Sequence, residues 1–408
     1  MTASLKPLQG LVVLDLSRVL AGPWATQNLA DLGASVIKIE KPAEGDETRR
    51  WGPPFAKDAA GADGDATYFF CCNRGKRSVT LDFAKPEGAA VLRRMAERAD
   101  VLVENFKVGC LERYGLDYAS LQRSNSRLVY CSITGFGQTG PYADRSGYDA
   151  LIQAMGGLMS LTGEPDGSPG GGPQKVGVAV VDLLAGMYAT SAILAALLHR
   201  ERTGTGTHID VALLDVQVAA LANQASAWLI GGALPERWGS GHPSIVPYQA
   251  FACADGHVMI SIGNDTQFAA FCSAGDCPHV ASDSRFRTNA GRVEHRQALL
   301  SVLTPLLLRR SCADWVELGA KYGFPCGPIN TLDRVFVDPQ VQARELISEL
   351  ETGRYGRVRT VTNPIRFNGH PAISSLPPPD LGDAAKEVLH EYGYSSAEIS
   401  AMRRRGVI

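Results

Sequence analysis

Residues 11–40, LVVLDLSRVLAGPWATQNLADLGASVIKIE, decide how this chain is built. Residues 11–16 are a short apolar run without alternation, the pattern of a strand buried on both faces of a parallel sheet. Ser17 to Pro23 reads as a turn, and residues 24–32 carry apolar side chains at helical spacing until Gly33. Residues 35–40 read as a second strand. Strand, helix and strand within about 30 residues form a βαβ unit, so the expected fold is α/β with a Rossmann-like parallel sheet. The turn reads SRVLAGP where a dinucleotide site would carry GxGxxG, so a nicotinamide ligand is not expected.

Working outward, further strands are expected at residues 78–82, 101–104, 128–133 and 208–211. Helices are expected at 86–99, 149–161, 180–199 and 213–229. Residues 42–67 read as a long Gly/Asp/Ala-rich connection. Composition shifts at Gly231-Gly232 and again at Gly239-Ser240-Gly241-His242-Pro243. We therefore expect a large domain over 1–224, a smaller α+β domain over 225–330, and a return to the large domain over 331–408. The small domain is expected to hold strands at 248–251 and 258–262 and helices at 267–273, 293–308 and 312–322. The return is expected to run through a helix at 335–350 and a strand at 358–361. Its last helix opens on the capping box Ser395…Glu398.

With 408 residues the chain exceeds one ordinary core. A net charge of −2 with both signs interspersed gives no electrostatic case for nucleic acid or an anionic membrane as partner. No uninterrupted apolar run reaches roughly 18 residues, so no membrane span is expected. Nine scattered cysteines without a CxxC pair, behind an N-terminus without a secretory pattern, read as reduced thiols in the cytoplasm. The eight histidines form no HxxxH or HExxH, so no metal is expected. GxSxG and GK[ST] are both missing, which removes the serine-hydrolase and P-loop readings.

One carboxylate stands out. Asp149 lies in GFGQTGPYADRSGYDALIQAMGG, residues 135–157, behind a glycine-rich loop and directly before an apolar helical run. It reads as a helix N-cap or as a nucleophile. A carboxylate can attack a thioester, a helix N-terminus favours the anion, and backbone N–H groups can stabilise the tetrahedral intermediate. Gly137 and Gly140 in one loop, and Gly239 and Gly241 in another, are the candidate donors. The cations of residues 72–77 read either as a solvated turn or as phosphate contacts, and Arg18 either as a surface turn residue or as part of a ligand-binding turn at the end of a strand.

The chain resembles the class III CoA-transferases, the CaiB/BaiF family, over essentially its whole length. The matching stretches are residues 7–40, NRGKRSVTLD, ADVLVENF, the segment from CSITGFGQTGPYADRSGYDA to GGLM, and VAVVDLLAGMYA. Within that family it looks most like the succinyl-CoA:glutarate CoA-transferase group, through DETRRWGPPF, RSGYDA and ERWGSGHPSIVPYQAF. The resemblance implies that Asp149 is the catalytic nucleophile. It further implies contacts to coenzyme A from Val19, Leu20, Ala21, Lys38, Lys76, Asn105, Phe106 and Arg113. Acyl-CoA then enters as substrate, with no tightly bound cofactor, and the chain is expected to form an obligate interlocked homodimer. Arg50, Arg237, His242 and Ser244 are candidates for reading an acceptor dicarboxylate. Two other readings stay in play. An α-methylacyl-CoA racemase would need a His where this chain has Tyr148, and an unperturbed Tyr titrates near ~10, a poor base at neutral pH. A non-catalytic CoA-binding protein would not need Asp149.

Overall fold

The computed structural model describes residues 5–408, so the first four residues of the N-terminal segment read above lie outside it. The chain divides into two compact units. One holds the chain up to Leu158, Val176–Ser226 and Pro339–Ile408; the other holds Met159–Lys175 and Ala227–Asp338.

The first unit is built on six parallel strands: β1 Val12–Asp15, β2 Ser35–Glu40, β3 Lys76–Thr80, β4 Val101–Glu104, β5 Val129–Thr134 and β6 His208–Ala212. Their order is β3-β2-β1-β4-β5-β6, with Val12 beside Ser35 and Val13 beside Val101. This is a doubly wound sheet whose direction of build reverses between β1 and β4. The principal helices of the unit are α1 Ala21–Asp31, α2 Pro86–Ala96, α3 Asp149–Met155, α4 Val180–Thr203 and α5 Leu213–Ala220.

Successive strand residues point to opposite faces, so the unbroken apolar strands feed two cores. Val13, Val36, Val101 and Val129 pack with Ala25 and Leu29 of α1 and Ala185, Ala189 and Ile193 of α4. Leu14, Ile37, Val79 and Leu102 pack with Val91, Leu92 and Met95 of α2 on the other side. The C-terminal helices Ala385–Glu391 and Ser396–Arg404 close that second core through Val388, Leu389, Ile399 and Met402. Leu14→Ala would cost about 3 kcal/mol, because a fully buried side chain leaves a cavity as well as its lost transfer energy. α4 approaches the start of α1 so closely that a Cβ at Gly186 would meet Ala21 O at 2.7 Å, and only glycine fits. By length and composition α4 could cross a membrane; half of that apolar stretch is buried within the protein.

Six expectations change. The helix expected over 213–229 breaks at Ala222, which has φ 44°, into α5 and Ala222–Leu229. The one expected over 293–308 is divided at His295 into Asn289–Glu294 and Arg296–Leu307. The helix expected over 149–161 breaks at Gly156-Gly157, where Gly157 has φ 88°, into α3 and Leu158–Leu161. Residues 335–350 do not form one helix. Leu332–Val335 and Pro339–Ala343 are short helices, because Pro339 can start a helix but not continue one. Ile347–Thr352 is then a strand paired antiparallel with Gly356–Val361. Residues 42–67 hold a tight turn, Glu47–Arg50, and the hairpin Phe55–Lys57 with Asp63–Ala66. Finally, Met159–Lys175 joins the second unit. The Gly239 N–H donates to Gly163 O at 3.0 Å, and Arg237 donates to Glu164 O and Ser160 O at 3.3 Å.

The second unit is α+β. Antiparallel strands Tyr248–Cys253, Gly256–Ser261 and Cys326–Pro328 pack with helices Asp265–Ala274, Arg296–Leu307 and Cys312–Tyr322 around Phe268, Phe271 and Trp315.

Candidate functional site

A cavity of about 190 Å3 opens in the first unit where β1 and β4 part, beyond their carboxyl ends. Open α/β sheets bind ligands at such a switch point, because the two loops there lead away in opposite directions. Val19, Leu20 and Ala21 from the loop after β1 and Asn105 and Phe106 from the loop after β4 line it. Gly147, Tyr148 and Asp182 complete the wall next to Asp149.

The loop after β1 is held under strain. Val19, a β-branched residue, has φ 70°, in the left-handed region that ordinarily costs about 1–2 kcal/mol. Asn105 fixes the residue before it from both sides: its Oδ1 accepts the Arg18 N–H at 2.9 Å and its Nδ2 donates to Arg18 O at 2.7 Å. The Val19 N–H donates to Asp46 Oδ1 at 3.3 Å.

Beneath this loop lies a buried ionic array. Lys38 Nζ donates to Ser17 O at 2.9 Å and Asp46 Oδ2 at 3.0 Å. Lys76 Nζ donates to Asp15 Oδ2 at 2.9 Å, Pro23 O at 3.0 Å and Asn73 Oδ1 at 2.9 Å. Burial alone would raise the Asp15 carboxyl, but Lys76 and Lys38 outweigh it and hold it at about 2. Burial likewise lowers the Lys38 ammonium, and Asp46 and Asp15 more than reverse the effect. Both lysine side chains are sealed from solvent. The structure shows both ammonium groups, expected as contacts to coenzyme A, paired with buried carboxylates instead of facing the cavity. Lys76 uses all three of its donors, and Lys38 two, in anchoring the strand ends and the turn under the pocket. Arg113 is exposed, 4.7 Å over the Tyr114 ring, and lines a separate hollow with Arg93. Arg50 is exposed on a further hollow that shares Arg18 and Phe106 with the main cavity.

The cations at the rim are ones the sequence did not single out. Lys107 and Arg145 line the cavity, are exposed, and have no carboxylate partner among the described residues. Arg145 lies 3.9 Å over the Tyr142 ring. Arg18, by contrast, pairs with Glu47.

Asp149 is the first residue of α3 and is 9% exposed. Its Oδ2 accepts from Gln153 Nε2 at 2.6 Å. Its Oδ1 accepts the backbone N–H of Val181 at 2.8 Å and of Asp182 at 3.4 Å. Gln153 is itself fixed by the Val176 N–H, which donates to Oε1 at 2.9 Å. The cap expected for Asp149 exists, but on a different helix: the carboxylate sits on the first turn of α4 rather than of α3. Free N–H groups and the positive end of the 24-residue α4 favour its anion. Asp182, 8% exposed, is the second carboxyl of the site. Burial, then the charge of Asp149, pushes it up to about 7. Asp182 therefore keeps its proton to a higher pH than an ordinary carboxyl does.

Three of the four glycines expected to donate N–H groups have them engaged elsewhere. Gly137 donates to Thr134 Oγ1 at 2.9 Å, Gly239 to Gly163 O at 3.0 Å and Gly241 to Trp238 O at 2.7 Å. Gly140, with φ 94°, borders open space. In the second unit, Arg237 pairs with Asp166, and His242 Nδ1 accepts the Ser244 N–H at 3.0 Å.

Known proteins share this arrangement of sequence and fold. The profile of CoA-transferase family III matches residues 8–384. Succinate–glutarate CoA-transferase of Agrobacterium fabrum is 48% identical over 385 residues, covering 94% of this chain and 95% of that protein. Succinyl-CoA:glutarate CoA-transferase of Homo sapiens is 40% identical over 406 residues, covering 99% of this chain and 90% of that protein. The crystal structure of a CaiB/BaiF family protein from Brucella suis superposes with a TM-score of 0.84 at 46% identity, covering 95% of this chain and 99% of that one. The chain belongs to the family III CoA-transferases, the CaiB/BaiF family, and is a CoA-transferase.

Proposed function

We propose that this enzyme moves coenzyme A from succinyl-CoA to glutarate or a similar dicarboxylic acid, through covalent intermediates on Asp149. The observation that carries the reading is the near-buried Asp149 carboxylate, held by two amides of α4 beside a cavity at the switch point of the sheet. The activities for which the relatives are named suggest the substrates.

An Asp149 oxygen attacks the thioester carbonyl carbon, the C–S bond breaks, and a mixed anhydride and CoA thiolate result. The thiolate attacks the aspartyl carbonyl of the anhydride, giving an aspartyl-CoA thioester and releasing succinate. A carboxylate of the acceptor then attacks that thioester, and the returning thiolate takes the acyl group from the second anhydride. Asp149 ends as it began, with no net proton and no electron transferred. Keeping water out preserves the thioester bond energy. Val19, Leu20, Ala21, Asn105 and Phe106 line the pantetheine path, and Arg50, Arg237, His242 and Ser244 are the groups to examine for the distal carboxylate. We expect the working form to be an interlocked homodimer acting in the cytoplasm, with CoA as substrate and no resident cofactor.

The test is a panel of acids against succinyl-CoA, with wild type and Asp149→Asn. Transfer to five-carbon diacids that the variant cannot catalyse is expected. A preference for monocarboxylates would overturn the substrate reading, and an Asp149→Asn variant at wild-type rate would overturn the covalent one.

A further inference from the structure

In the second unit, two cysteines 59 positions apart in sequence meet with their Sγ atoms 2.7 Å apart. That is closer than unbonded sulfurs pack and a small rotation from the S–S bond length of about 2.0 Å. Cys253 ends the strand Tyr248–Cys253 and is buried; Cys312 opens the helix Cys312–Tyr322 and is half-buried. Asp255, exposed in the turn that follows that strand, accepts the Cys312 N–H at 2.7 Å and the Cys253 thiol at 3.6 Å. The turn itself is pinned by the Ala254 N–H donating to Arg310 O at 2.9 Å. Gly256 leaves room for the Cys312 sulfur, which lies 3.2 Å from where a Cβ would stand. The backbone thus holds the two thiols together and leaves one of them within reach of solvent.

We propose that Cys253 and Cys312 form a thiol–disulfide exchange site, closed to a disulfide by a small-molecule disulfide, with Asp255 receiving the proton of the second thiol. Cys312 gives its proton to water, and the thiolate attacks one sulfur of the reagent, whose S–S bond breaks to release a first thiolate. Cys253 then passes its proton to Asp255, and its sulfur attacks Cys312 Sγ and expels the second thiolate. Two electrons pass from the two protein thiols to the reagent, which leaves as two thiols once protonated by water and Asp255. Burial, with Cys253 and Asp255 behind it, pushes the Cys312 thiol up to about 12. The first step is therefore the slow one, and the second follows within the molecule without delay. The proposal does not depend on the acyl-transfer reading.

The test incubates the full-length native protein with oxidised glutathione, blocks remaining thiols with iodoacetamide and maps peptides by mass. The expected result is a Cys253–Cys312 cross-link, lighter by about 2 Da than the two free peptides and reversed by dithiothreitol. In Cys253→Ser, glutathione is expected to stay on Cys312; in Cys312→Ser, Cys253 is expected to stay reduced while transfer activity and far-ultraviolet dichroism match wild type. The proposal is overturned if both thiols remain unlinked in the native protein, or if the link forms only after denaturation. It is also overturned if the protein as purified holds stoichiometric zinc that Cys312→Ser releases, since the three side chains would then be metal ligands.

Discussion

Asp149 and Val181 are joined by a hydrogen bond from the backbone N–H to carboxylate Oδ1, at 2.8 Å, that ties the first turn of α3 to the first turn of α4. The bond gives Asp149 two duties that mutation can separate. Asp149→Asn keeps an acceptor for Val181 and removes the nucleophile. Asp149→Ala removes both, and loss of a cap costs about 1 kcal/mol. Both variants are expected to lose at least about 10^3-fold in turnover. Only Asp149→Ala should lower the unfolding midpoint appreciably, which paired urea titrations and steady-state assays would reveal.

Asp182 predicts a pH dependence. Its carboxyl is raised to about 7 by burial and by Asp149, above its ordinary 3.8. A group raised on folding contributes stability that is fully present below its unfolded value and is lost as pH rises through the folded one. Asp182→Asn cannot ionise and so escapes that loss. The variant should gain on wild type between about pH 5 and about pH 8, by on the order of 3 kcal/mol at the upper end. Urea unfolding across that range checks it; a gap independent of pH would show that Asp182 is ionised throughout.

Much of this was legible from the chain. The apolar, non-alternating residues 11–16 can only be satisfied by burial on two faces, and Val13 and Leu14 do feed separate cores. The capping box at Ser395 and Glu398 is local chemistry and forms as read. The partners of Asp149 were not legible, because Val181 lies 32 residues away and no local pattern pairs a carboxylate with the start of a later helix. The buried partners of Lys38 and Lys76 were not legible for a related reason. A cation at a strand end looks the same in sequence whether it meets a ligand or a buried carboxylate, and Asp46 and Asp15 decide the matter only in three dimensions. Lys107 and Arg145 carried no motif at all; the pocket wall alone brings them together.

Lys76→Met follows from that burial. Breaking the pair leaves Asp15 charged in the core, a loss of about 3–5 kcal/mol. Removing the partner too, as Asp15→Asn with Lys76→Met, should recover a large part of it. Thermal melts of the single and double variants decide the point. A single variant that melts like wild type but binds acyl-CoA poorly would return Lys76 to the ligand.

Lys107→Ala and Arg145→Ala are expected to raise KM for the acyl-CoA about tenfold each, near 1.4 kcal/mol, with kcat little changed. Both cations are exposed at the rim with no carboxylate partner among the described residues, so a ligand phosphate there would displace no acid. The effect should shrink with added salt, and KM for the acid acceptor should stay put. Equal rises for both substrates would point to a general loosening of the loop.

Val19→Gly separates strain from binding. At φ 70° a valine is disfavoured and a glycine is not, so on that ground alone the variant gains about 1 kcal/mol. Glycine also loses more chain entropy on folding, by about 0.5–1 kcal/mol, so the net change in the unfolding midpoint should be small. Binding should behave differently. The left-handed turn is fixed by Asn105 and Asp46 at the pocket wall, and a glycine there lets the loop explore other shapes before ligand arrives. That ordering cost then falls on binding, and Kd for CoA should rise while the fold is unharmed. Calorimetry of CoA binding beside a thermal melt checks both halves; tighter binding in Val19→Gly would mean that the strain opposes the ligand rather than preparing for it.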